Sequence, residues 1–203
     1  MGGQSRGAPT AKRAAVQAAV LEAAQALLRE GVSYNDLNIE RIATRSGISR
    51  TAFYFYFRDK RELLLRLTED VTDELYRQAG IWYSGGDDPP AEVAEALRNI
   101  SDLYTEHGAV LRAIVQAAAT DDEVAVFWHA VVDRFADATA RRIEDLRRDG
   151  RAPGDIDPRA TGFALCWMIE RSFNQQLVQG EPIPAQDLLD ALTGIFLRAV
   201  YAA

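Results

Sequence analysis

An all-α fold is what the sequence predicts, and three observations carry it. Apolar residues recur at spacings of three and four through nearly every segment. No segment alternates apolar and polar residues convincingly, as a half-buried strand does. The breaks fall at glycine and proline, beside the serine, asparagine and aspartate residues that suit helix starts. About nine helices follow from this pattern. The 203 residues suffice for one compact unit or two small ones.

Residues 1–10 are small and polar and read as a disordered arm. Ala11–Arg29 is alanine-rich, with Val16, Val20, Ala23, Leu27 and Leu28 at helical spacing and Gly31 to end it. Asn38 suits an N-cap for a short helix through Ser46. Gly47 breaks that helix, and Ser49 caps the next. Asp59 followed by Glu62 repeats the capping logic and starts a helix to about Trp82. "SGGDDPP" is then the clearest break in the chain. The organisation expected is a head over residues 11–57, a connecting helix over 58–84 and a body over 85–203.

Within the body, Ala91–Thr105 and Ala109–Ala119 flank Gly108, and Asp121–Asp149 is a long amphipathic helix. "GRAPGDIDP" stops it. Asp157 and Pro158, with proline at its favoured first position, open a helix expected to run to about Val178. "QGEPIPA" is a turn, and Gln186–Tyr201 forms the last helix.

Composition narrows the function. No run reaches the roughly 18 apolar residues of a membrane helix, and "MGGQSRGAPTAKRAA" has no signal-peptide core, so a cytoplasmic protein without membrane contact is expected. The single Cys166, in the apolar run "FALCWMI", excludes an internal disulfide. With two histidines, His107 and His129, and no metal-type spacing, no metal site or cofactor is expected. There is no nucleophile elbow or phosphate loop. Asp121, Asp122 and Glu123 stand where acids stabilise a helix dipole. Catalysis is therefore not expected. The net charge of −7 hides an asymmetry: Met1–Arg66 holds 11 Lys+Arg against 6 Asp+Glu, leaving 12 against 24 in the remainder. A basic head on an acidic body hints at nucleic acid.

The local motif decides. Ile39, Ile42 and Ala43 share one helix face, and Ala43 is small enough for a second helix to cross closely. Gly47 supplies a tight turn, and Ile48 plugs the core between the helices. This is the skeleton of a helix-turn-helix, whose second helix enters the major groove by its amino-terminal end. Ser49 then offers a cap amide to a phosphate. Arg50 and Thr51 lie at the exposed end, where arginine can pair with guanine and the threonine methyl can touch thymine. Phe53 and Phe57 turn inward. Tyr54 lies off that stripe with its hydroxyl free for a phosphate, and Phe55 and Tyr56 stay partly exposed unless DNA covers them. Lys60, Arg45 and Arg58 add charge, and Asn38 borders the same side.

"GISRTAFYFYFRDKREL" closely resembles the signature of the TetR family of transcriptional regulators. Ile48, Ser49, Phe53, Tyr54, Phe57, Lys60, Glu62 and Leu63 fall on matching positions, and "FYFYF" is similar to the mycobacterial ethionamide-activation branch. Thr51 and Ala52 stand where the family usually has glycine and threonine, so Ala52 lacks a hydroxyl that often touches the DNA backbone. The resemblance implies a homodimer that binds an inverted-repeat operator in double-stranded DNA. It further implies repression relieved by a small apolar effector, held in a body that dimerises through its last two helices.

For that effector the fitting residues are Ile100, Tyr104, Trp128, Val132, Phe135, Cys166, Trp167, Ile169, Phe173 and Asn174, although the same stripe also reads as plain core. Arg171 reads as structural; Glu170 could be structural or could orient a ligand. Leu188, Leu192, Ile195, Phe196 and Ala199 suit a partner helix, with packing inside one chain as the competing reading. A DNA-binding protein whose body serves dimerisation only is the alternative function.

Overall fold

The computed structural model describes residues 8–178, 180 and 183–201. Among these residues there are nine α-helices and no strand. The head comprises α1 (Ala8–Arg29), α2 (Ile39–Arg45) and α3 (Arg50–Phe53). The body comprises α4 (Lys60–Ser84), α5 (Pro89–Glu106), α6 (Gly108–Ala118), α7 (Asp122–Arg148), α8 (Pro158–Phe173) and α9 (Ala185–Val200).

Polar caps set most helix starts. Asn38, Ser49 and Asp59 accept hydrogen bonds from the amides of Arg41, Ala52 and Glu62. Asp88, Asp121 and Asp157 do the same for α5, α7 and α8, with proline at the first helical position of α5 and α8. Each cap satisfies an amide that the helix itself leaves unpaired.

The α2–α3 turn closes on Gly47 at φ +74°. The Gly47 amide donates to the Thr44 carbonyl at 3.2 Å, and the Ile48 amide reaches back to the Ala43 carbonyl at 3.0 Å. This paired closure needs a left-handed residue at position 47, which glycine adopts without steric cost. Ile42, Ala43, Phe53 and Phe57 bury beneath it.

In the body α4 packs along α5 and across α6 and α7, while α7 and α8 lie against each other. A Cβ on Gly162 would stand 2.7 Å from the Ala136 carbonyl oxygen and 3.0 Å from the Ala140 amide, so the absence of a side chain permits this approach. Helix α9 covers α5 and α8. Its Phe196 meets Trp82 edge-on at 4.8 Å, and the Trp82 indole donates to the Tyr201 hydroxyl at 2.9 Å.

Three expectations shift. Helix α1 begins by Ala8, inside the stretch read as an arm; residues 1–7 lie outside the described residues. Helix α3 itself does not shift, and after Phe53 the chain tightens, with Phe55 and Tyr56 donating to carbonyls three residues back. Helix α8 is α-helical only to Phe173, and Asn174–Val178 is a π-helical turn. The Asn174 amide is shared between the Glu170 and Arg171 carbonyls, and its side chain is buried. Finally, "SGGDDPP" joins two helices that pack together, so the break lies inside the body and α4 is one of its walls.

Candidate DNA-reading tip and ligand cavity

At the head, ring packing separates inside from outside. Phe53 is fully buried, with the Phe57 ring 5.6 Å from it and the Tyr54 ring edge-on at 5.7 Å. Tyr54 is 48% and Phe55 73% exposed. With Arg50 and Thr51 they line one shallow concavity at the tip of the head. From α1, Arg13 donates to the Phe55 carbonyl at 3.4 Å and stands 5.9 Å from the centre of the Tyr56 ring, tying the end of the turn to the first helix.

The cations around this tip are not equivalent. Arg45 binds both Glu30 carboxylate oxygens, at 2.6 and 2.8 Å, and this bonding holds the Glu30 carboxyl below its usual range. Arg58 pairs with Glu62 at 3.2 Å. The Lys60 ammonium donates to the Tyr34 and Asn35 carbonyls at 3.0 and 3.4 Å and stands 4.5 Å from the centre of the Tyr34 ring. Arg50 makes no hydrogen bond or ion pair among the described residues. It is the uncommitted cation of the tip.

The body holds a partly open cavity of about 100 Å³ between α4, α5, α7, α8 and α9. Its walls are almost wholly apolar, with the rings of Trp82, Tyr83, Tyr104, Trp128, Phe135 and Phe196 facing the space. Several of its polar groups answer one another. The Tyr83 hydroxyl donates to the Phe135 carbonyl at 3.3 Å and lies 3.4 Å from Thr139, whose hydroxyl lies 3.4 Å from the Cys166 sulfur. Thr72 donates to the Glu69 carbonyl at 3.1 Å. Burial pushes the Cys166 thiol up to about 11 and raises Tyr83 and Tyr104 as well, so all three stay protonated at neutral pH. Glu170 is different. It borders the cavity, has no hydrogen bond or ion pair among the described residues, and burial raises its carboxyl above the ordinary range.

Residues 93–202 match the family described as "Transcriptional regulator EthR, C-terminal domain", and residues 20–67 match "Bacterial regulatory proteins, tetR family". The chain belongs to the TetR family. Within it the similarity is to the EthR branch. The chain is 30% identical over 191 residues to the HTH-type transcriptional regulator EthR of Mycolicibacterium smegmatis, covering 91% of this chain and 86% of that protein. It is 30% identical over 190 residues to EthR of Mycobacterium tuberculosis, covering 90% and 86%. Among solved structures, SmeT, the repressor of a Stenotrophomonas maltophilia multidrug efflux pump, superposes with a TM-score of 0.70 at 19% identity, over 92% of this chain and 90% of that one. A TetR/AcrR-family regulator from Thermobifida fusca gives 0.69 at 17%, over 92% and 98%. These likenesses establish the fold, and the family establishes a DNA-binding transcriptional regulator.

In this TetR chain the residues read from the sequence are brought together unevenly. Arg50, Thr51 and Tyr54 share the tip, whereas Arg45 and Lys60 are engaged elsewhere on the head. Ser49 and Asn38 spend their side-chain oxygens on caps. Ile100, Tyr104, Trp128, Val132, Phe135, Cys166, Ile169 and Glu170 line the cavity. Three expected there do not. Trp167 packs outside against His129 and Phe163, at 5.3 and 6.3 Å; Phe173 is buried against the Tyr104 ring; Asn174 is buried in the π turn.

Two residues expected at a subunit interface are instead internal. Leu192 and Phe196 are buried in their own chain, because α9 turns them toward α4 and α5. Leu188 and Ala199 are half-buried and Ile195 is exposed. The sequence reading missed the α4 wall, Thr72, Leu75, Ala79, Trp82 and Tyr83, although their three- and four-residue spacing marks one helix face. It also missed Phe163, 54% exposed on α8.

Proposed function

We propose that this chain is a homodimeric repressor whose two heads read half-sites of an inverted repeat, released when a small apolar effector fills the body cavity. The observation that carries the reading is the pairing of an exposed, uncommitted Arg50–Thr51–Tyr54 tip with a ring-lined cavity in the same chain. Arg50 reads a base edge and Thr51 a neighbouring one, while Tyr54 and the remaining Lys60 donor hold phosphates. Half-sites lie about one helical turn, roughly 34–36 Å, apart. Exposed Phe163 and Ile195, on α8 and α9, supply apolar surface for the partner.

The effector acts by differential affinity: it prefers the body shape that spaces the heads wrongly for DNA. Binding of the full chain to its operator duplex, measured with and without a cavity-filling compound, tests this. Operator affinity should fall as the cavity fills. A compound that occupies the cavity and leaves operator affinity unchanged contradicts the ligand half of the reading. DNA binding without any sequence preference contradicts the other half.

A further inference from the structure

Among the described residues the cavity is lined by one acidic group and no basic one. Lys, Arg and His are absent from its described lining, and Tyr83, Thr139, Cys166 and Thr72 already have partners within the chain. What remains is the Glu170 carboxyl, 9% exposed, with the Tyr104 hydroxyl bordering the same space. The neighbouring Arg171 offers a positive charge, but its side chain is exposed and forms no ion pair with Glu170 among the described residues.

An unpaired carboxylate among rings is costly, and a cation placed beside it removes that cost. Rings also attract a cation through their faces. An anionic occupant would gain no counter-charge and would face Glu170. Granting that the cavity is the effector site proposed above, we infer that its natural occupant is a small apolar amine, with its basic nitrogen at the Glu170 carboxylate and its apolar part among the aromatic walls. At about 100 Å³ the space is smaller than the roughly 150 Å³ that holds benzene, so it limits the occupant to a small molecule and must widen to take a ring.

Benzylamine, benzyl alcohol and benzoate share a ring and differ at the polar end, so they serve as probes. Each is titrated calorimetrically into the full chain at neutral pH, and into Glu170→Gln. Benzylamine should bind about tenfold tighter than benzyl alcohol, as a charge-assisted hydrogen bond supplies, and benzoate should bind most weakly. Glu170→Gln should keep benzyl alcohol binding and lose the preference for the amine. Benzyl alcohol equal to or tighter than benzylamine on the unaltered chain overturns the inference while leaving the cavity's role intact. A preference that survives in Glu170→Gln overturns it too. If none of the three binds, the inference is overturned, while the effector reading is still judged separately by operator affinity with a cavity-filling compound. The unaltered chain alone decides the ranking should Glu170→Gln fail to fold.

Discussion

Arg50 and Lys60 carry the same charge beside the reading helix, yet the fold employs them differently. Arg50 has no partner among the described residues, whereas Lys60 spends two donors on the carbonyls of Tyr34 and Asn35. Arg50→Ala is therefore expected to alter preference at one base pair of each half-site, by about 1–3 kcal/mol if the contact is bidentate. Operator variants compared in a mobility-shift assay check it; a uniform loss across all bases would reassign Arg50 to phosphate. Glu170 makes a pH-dependent prediction. Burial raises its folded-state pKa above the ordinary 4.5, so the folded chain binds that proton more tightly than the unfolded chain. Its destabilising effect is absent below about pH 4.5 and grows as pH rises through the folded value. Glu170→Gln should thus be more stable than the parent at neutral pH, with the difference closing toward pH 4.5 in paired denaturant titrations. Caps such as Ser49 and Asp59 were legible in the sequence because both partners lie three residues apart. The Lys60 contacts were not, since the accepting carbonyls stand 25 and 26 residues away.

Helix α4 links head and body. Its first turn carries Arg61, which reaches Asp121, the N-cap of α7, at 3.4 Å and Glu123 at 2.7 Å. About three to five turns further on, the same helix presents Thr72, Leu75 and Ala79 to the cavity. An occupant that shifts α4 would thus move against this anchor to the start of α7. Arg61 and Asp121 are half-buried and Glu123 is exposed, so solvent screens these pairs and Arg61→Ala should change stability little. It should nonetheless shrink the effector-induced drop in operator affinity, measured with one saturating effector; an unchanged drop would remove Arg61 from the coupling. Helical spacing revealed nearly all of these elements. It did not reveal the π turn at Asn174–Val178, because an extra residue in one turn leaves no mark on the three-and-four pattern before it. Nor did it show that α4 is a cavity wall, since a fully apolar face reads the same whether it meets packed atoms or empty space.

On the scale of the whole molecule, one chain holds one reading tip, and an inverted repeat needs two. The exposed apolar side chains Phe163 and Ile195, with the half-buried Trp167, are the surface that a second copy would cover. Phe163→Asp should yield a monomer in sedimentation and lose operator affinity, because each head alone keeps only half the contacts; a stable dimer would place the interface elsewhere. The dimer assignments for Leu192 and Phe196 failed because a wide apolar arc cannot by itself say which side meets its own chain. In the function proposed above, the Arg50–Thr51–Tyr54 tip reads DNA as one of a symmetric pair. Selection of bound duplexes from a random library by the full chain tests it most directly. An inverted repeat with half-site centres one helical turn apart should be enriched, and Arg50→Ala should change one base per half-site. Enrichment of no sequence, or of a lone half-site with no symmetric mate, would contradict it.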